Sequence, residues 1–171
     1  MLLEPDKTYF SGTHRACSPQ ETIKKMEPFF AEMGITRVAN ITGLDHIGIP
    51  VVTVCRPNSR ALSVAQGKGV DLDCAKASGI MEAAESYLAE HISHPLTYAS
   101  YREMQQKHTV VDVKRLPQLS INAFDESAML LWIEGKVISA GSLRGGGAES
   151  CWLPFDTVHT NYTLPLPSGS G

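Results

Sequence analysis

Ser78, Glu82 and Glu85, in the run Ala77-Ser78-Gly79-Ile80-Met81-Glu82-Ala83-Ala84-Glu85, have the side-chain types and spacing to hold a metal–phosphate complex. On a helix turning about 100° per residue they fall within roughly 60° of one another. Cys74, Ala75, Met81 and Ala89 flank them on that face, while Lys76, Ala83, Tyr87 and Glu90 lie opposite. Two carboxylates one turn apart repel each other, and small apolar neighbours strip them of hydration. A hard cation relieves both costs, and Mg2+ favours one or two carboxylates together with phosphate oxygens. The pattern predicts a Mg-nucleotide site. The plainer reading is a solvated helix face, the ordinary place for glutamate. Ahead of the helix, Gly67-Lys68-Gly69 can hold phosphate through backbone amides and a lysine charge, or simply turn the chain. It is not a Walker A loop, which needs glycine where Leu62 stands and Ser or Thr where Gly69 stands.

The elements that position these residues follow from local signals. Ser18-Pro19-Gln20-Glu21 reads as a capped helix start, with proline at the first helical position and Glu21 closing a capping box. Pro28 kinks or splits that helix, and Gly34 stops it. Strands are predicted at 35–41 and at the β-branched run 51–55, joined by a Gly-rich connection over 42–50. After a turn at 56–59 and a short extended piece at 62–65, Asp71 caps the long helix, which ends near His91 to His94 before Pro95. Ser100 to Glu103 offers a second capping box, and 109–113 a possible strand. Met129 to Ser139 reads as a hairpin turning at Gly135-Lys136, 144–147 as a mobile loop, and 150–162 as an edge strand around Pro154. Strands and helices without regular βαβ alternation predict an α+β fold of mixed sheets packed with helices.

The whole chain sets outer bounds. Its 171 residues, 43% hydrophobic and 19% charged, suit one globular core. A formal net charge of −3 gives no basic excess for nucleic acid, and no apolar run approaches the roughly 20 residues that span a bilayer. Four scattered cysteines, none in a C-x-x-C pair, argue against a zinc knuckle or disulfide framework. They and the absence of a signal-like start predict a cytoplasmic protein. His14-Arg15 and Asp45-His46 invite catalytic readings, yet no spacing makes them a metal set. Cys17 or Cys55 with a histidine would make a hydrolytic dyad, but no family-specific nucleophile pattern supports one.

Four blocks, taken together, resemble the YcaO family: Gly12-Thr13-His14-Arg15, Gly34 through Val51, Gln66-Gly67-Lys68-Gly69, and the Ala77 to Glu85 helix. Their order and spacing carry the resemblance, which is strongest over 8–95. It is weaker over 129–167, where a tryptophan-containing hairpin and Asn161 to Pro165 are also similar. It implies that residues 1–171 are the N-terminal part of a YcaO domain; the Pro-, Ser- and Gly-rich end, 164–171, reads from its composition as a flexible tail. It also implies ATP-dependent activation of a peptide backbone amide in a ribosomal peptide or protein. The amide oxygen takes the γ-phosphoryl group and leaves as phosphate once a nucleophile has added to the carbon. A neighbouring Cys, Ser or Thr then gives an azoline (cyclodehydration), and sulfide gives a thioamide. Phosphorylation supplies the leaving group, so the protein has mainly to position reactants and neutralise charge.

The family's S-x-x-x-E-x-x-E motif maps onto Ser78, Glu82 and Glu85, and the resemblance makes both glutamates Mg2+ ligands. It sets Lys68 near the phosphates and Ser78, Arg15 and Thr22 among the ATP contacts; it singles out no catalytic acid, base or nucleophile. The stretch TRVANITGLDHIGIPV most resembles members that work with a TfuA-like partner in thioamide formation. Family members continue past Gly171 into further acidic and arginine motifs. The expectation is therefore a truncated chain that holds half of the metal cluster, self-associates, or meets its missing half. The alternative is a catalytically silent domain that binds a peptide or partner. A third, weaker reading is an unrelated metal- or thiol-dependent hydrolase.

Overall fold

The β-branched run Val51-Val52-Thr53-Val54-Cys55 forms the middle strand of a three-stranded antiparallel sheet, because side chains stiff at χ1 pack well on a pleated surface. The computed structural model describes residues 7–10, 13–117, 124–138 and 149–163. The chain divides into two units, Met1–Glu90 and His91–Gly171. In the first, a hairpin of β1 (Thr8–Phe10) and β2 (Thr13–Arg15) precedes α1 (Pro19–Met26), a 3-10 turn (Glu27–Phe29) and α2 (Phe30–Met33). Then β3 (Arg37–Asn40), β4 (Val51–Cys55) and β5 (Val64–Lys68) pair in that order, and α3 (Leu72–Glu90) packs on them.

Local chemistry accounts for the helix ends. Ser18 Oγ accepts from the Glu21 N–H at 3.2 Å, and Glu21 Oε2 accepts from the Ser18 N–H at 2.9 Å. Pro28 has no N–H to give, so the helix breaks into α1, the 3-10 turn and α2. Gly34 then ends α2 at φ +69°, a left-handed conformation that costs glycine little. The core between sheet and helices holds Val52, Val54, Ile80 and Ala83, each 0–1% exposed. Burying a Val or Ile side chain contributes about 1.5–3 kcal/mol.

At the end of α3 lies a charge pair the sequence did not single out. Arg56 and Glu90 are both 3% exposed, and their side chains meet in a fork, Nη2–Oε2 at 2.8 Å and Nη1–Oε1 at 3.3 Å. Arg56 Nε also donates to the Met33 carbonyl at 2.8 Å, capping the end of α2, and its guanidinium lies over the Tyr87 ring. Such multiple bonding is what makes a buried pair tolerable.

The second unit consists of β6 (Leu96–Ser100), α4 (Tyr101–Lys107), β7 (Met129–Lys136) and β8 (Ser150–Pro154), with the strands antiparallel in the order β6-β7-β8. Ser100 and Glu103 form the expected capping box of α4. Its core centres on Trp132, fully buried, whose Nε1–H donates to the Ala99 carbonyl at 2.9 Å.

The α+β class holds. Three local expectations do not. Gly67 and Lys68 belong to a strand and not to a turn. The hairpin expected to turn at Gly135-Lys136 does not form: β7 runs straight through both residues and pairs with β6 and β8. Residues 109–113 make a single parallel bridge, Val110 to Trp152, before a 3-10 turn. Gly12, the 144–147 loop and the 164–171 tail lie outside the described residues.

Replacing Glu90 with alanine leaves the Arg56 charge buried without its counterion. We expect Glu90→Ala to lower unfolding stability by ~3–5 kcal/mol, read as a fall in the urea midpoint; a loss below ~1 kcal/mol contradicts a structural role for the pair.

Candidate functional site

The site is built on an unusually close approach of α3 to β5. A Cβ on Gly67 collides with the Ala75 carbonyl and the Gly79 backbone, and one on Gly69 lies 2.5 Å from the Ala75 nitrogen and the Cys74 Cβ. From the helix side, a Cβ on Gly79 comes within 3.0 Å of the Gly67 nitrogen and 3.1 Å of Val54 Cγ2. Glycine is needed in the Gly-Lys-Gly run because backbone meets backbone there. The run accordingly forms neither a turn nor a phosphate cradle of backbone amides: Gly67 pairs with Val52 in the sheet, and the Gly69 N–H donates to the Pro50 carbonyl at 3.2 Å.

Around α3 the buried positions are Ala75, Ala77, Gly79, Ile80, Ala83 and Ala84, with Cys74 at its first turn and Glu90 at its last. Ser78 is half-buried, and Glu82 and Glu85 are exposed. The expected face is thus a single stripe, and a solvated one, while Ala83, expected opposite it, packs into the core. The two carboxylates keep their hydration, and their mutual repulsion is the cost that remains. Glu82 Oε1 accepts from the Gln66 N–H at 3.4 Å, on the edge of β5 that faces away from β4.

Arg15 and Thr22 come together. With Ala16, Cys17, Lys25, Met26 and Met81 they line a cavity of about 360 Å³. Met81 stands next to Glu82 and within one turn of Ser78 and Glu85, so this cavity opens beside the carboxylate stripe. Arg15 Nε is buried and lacks a hydrogen-bond partner. The Thr22 hydroxyl donates to the Ser18 carbonyl at 3.0 Å, and its oxygen accepts from the Cys17 thiol at 3.4 Å. Lys68 is elsewhere: it lies on the opposite face of β5 from Gly67, in a cavity of about 600 Å³ with Ile47 to Pro50, Gly69 and Val70.

The helix start is fixed by Asp71, whose Oδ1 accepts from the Cys74 N–H at 2.7 Å. That bond is the main reason the Asp71 carboxyl titrates below the usual carboxylate range, with the Arg15 charge a smaller cause. Burial, then Asp71, push the Cys74 thiol above its ordinary value. Among the described residues no three His, Cys, Asp or Glu side chains converge.

An α+β domain with paired carboxylates beside a cationic cavity is the class of protein these features define. Residues 66–170 match the family described as YcaO cyclodehydratase, ATP- and Mg2+-binding, and the chain belongs to that family. The match runs from β5 to the end of the second unit, beyond the blocks that first pointed there. An uncharacterized protein of Mycobacterium tuberculosis H37Rv is 35% identical over 150 residues, 88% of this chain and 32% of that protein. One in the tfuA 3′ region of Rhizobium leguminosarum bv. trifolii is 36% identical over 156 residues, 91% of this chain and 35% of that protein. The chain thus spans about a third of the length of the curated relatives it matches. In fold it is similar to YcaO from Methanopyrus kandleri bound with AMPPCP and Mg2+ (TM-score 0.64, 19% identity, 98% of this chain and 40% of that one). It is also similar to a heterocyclase in complex with substrate and cofactor (TM-score 0.64, 17% identity, 94% and 25%). No helix among the described residues is long and apolar enough to cross a membrane.

All four cysteines are free thiols. Because a thiol held neutral by burial reacts slowly, Cys74 is expected to be the last of the four alkylated by iodoacetamide in the native chain. Labelling of Cys74 as fast as exposed thiols contradicts the buried helix start.

Proposed function

We propose that this chain supplies part of the Mg-ATP site of a YcaO enzyme that activates a peptide backbone amide by phosphorylation. The observation that carries the reading is the cavity lined by Arg15, Thr22 and Met81, which opens beside the Ser78, Glu82 and Glu85 stripe. An Arg15 Nε without a hydrogen-bond partner, in a cavity that opens beside two carboxylates, is the charge pattern that a metal–phosphate group satisfies. Mg2+ held there would neutralise charge on the phosphoryl group being transferred. Glu82 and Glu85 hold the cation, Ser78 offers a hydroxyl to the nucleotide, and Arg15 faces its phosphates, with Thr22 alongside. Lys68 opens into a different cavity, and the reading does not require it as a phosphate contact.

The family's ATP and Mg2+ binding supports this assignment, as do the AMPPCP and Mg2+ of the Methanopyrus protein. A peptide or protein substrate is supported by the substrate bound to the heterocyclase. Thioamide formation with a TfuA-like partner, in preference to azoline formation, is supported by the relative in the tfuA 3′ region. Free thiols suit a reducing cytoplasm. A second reading, a catalytically silent module that binds a peptide or partner, is favoured by Leu44, Ile47, Ile49 and Val70, which are 54–85% exposed.

Isothermal titration separates the two. Mg-ATP is expected to bind the chain, and Glu82→Gln to abolish the Mg2+-dependent part of that binding by removing a charged ligand. Unchanged binding in the variant contradicts the residue assignment, and no binding by the parent favours the silent module. Mass spectrometry of a modified peptide then distinguishes loss of water from exchange of oxygen for sulfur.

A further inference from the structure

Resting on the Mg-ATP reading above, we infer that Gly79 and the backbone N–H of Gln66 are positioning elements for the metal ligand Glu82. Gly79 faces Gly67 across the contact of α3 with β5. Glu82 lies three residues further along, about 60° round the helix, over the open edge of β5. Only because neither glycine has a side chain does the helix sit low enough for Glu82 Oε1 to reach the Gln66 N–H at 3.4 Å. That N–H points away from β4, so it takes no part in the sheet's ladder and is available as a donor.

The bond occupies one carboxylate oxygen and fixes the direction of the other. Glu82 would then meet a cation, together with Glu85 one turn on, without first having to order a mobile side chain. Outer partners of this kind orient a ligand without touching the metal. Glycine is a poor helix residue, and its presence in the middle of α3 is explained by this contact. A purely structural account of Gly79 and the positioning account make different forecasts for one substitution. Alanine improves the helix, whereas its Cβ, 3.0 Å from the Gly67 nitrogen, lifts α3 by a few tenths of an ångström and draws Glu82 off the strand edge.

The test compares the chain with Gly79→Ala and with Gln66→Pro, which deletes the N–H donor on an edge where proline costs no ladder bond. ATP binding is titrated with Mg2+ and, separately, in its absence, with a thermal melt confirming each fold. Both variants are expected to need about tenfold more Mg2+ for half-maximal ATP binding, with Mg2+-free binding unchanged. Parental Mg2+ dependence in either folded variant overturns the proposal, as does equal weakening with and without Mg2+, the mark of a general loosening. If Gly79→Ala does not fold, Gln66→Pro decides alone. Absence of Mg-ATP binding in the parent overturns this proposal together with the site reading, whereas parental binding with unaffected variants overturns this proposal alone.

Discussion

The contact of α3 with β5 at Gly67 and Gly79 constrains everything else in the first unit. Backbone packed on backbone leaves no room for a Cβ on Gly67, so the height of the helix above the sheet is set by main-chain atoms that cannot adjust their rotamers. From that height follow the burial of Ala75, Ile80 and Ala83 against Val52 and Val54 and the exposure of Glu82 and Glu85 along the free flank. The far end of the helix is held as firmly by the buried Arg56–Glu90 fork. Two anchors of different chemistry, one steric and one ionic, thus fix the rotation and tilt of the element that carries the carboxylates.

The electrostatics are consistent with such a frame. Two glutamates on an exposed stripe are not costly to solvate, but they are costly to hold together. A few residues away, Arg15 and Lys25 line a cavity whose walls contain no acid. The Arg15 charge also acts on Asp71, but among the described residues no ion pair joins these two cations to Glu82 or Glu85. A group bearing both phosphate and metal charge satisfies both halves at once.

Much of this was legible in the sequence. The capping boxes at Ser18 and Ser100, the break at Pro28, the stop at Gly34, the strand at 51–55 and the Asp71 cap are all local, and local chemistry decides them. The Ser78, Glu82 and Glu85 stripe was also readable, since helical periodicity alone puts them on one side. What failed depended on distant partners. Gly-Lys-Gly reads as a loop until a helix is seen lying on it, and Gly135-Lys136 reads as a turn until β8 is seen pairing past it. Whether the carboxylate stripe is solvated or desolvated could not be read from α3 alone, because alanine and glycine, small on both faces, give the helix little apolar bias. Nothing local marks Arg56 and Glu90, which lie 34 positions apart, as partners.

Paramagnetic Mn2+, substituted for Mg2+ in the presence of ATP, reports most directly on where the divalent cation sits. In an amide-resolved NMR spectrum of the chain, the account predicts that broadening concentrates on Gln66 and on residues 78–85, with weaker effects near Arg15. Broadening centred elsewhere, or distributed evenly over the acidic surface, contradicts a metal site on this helix.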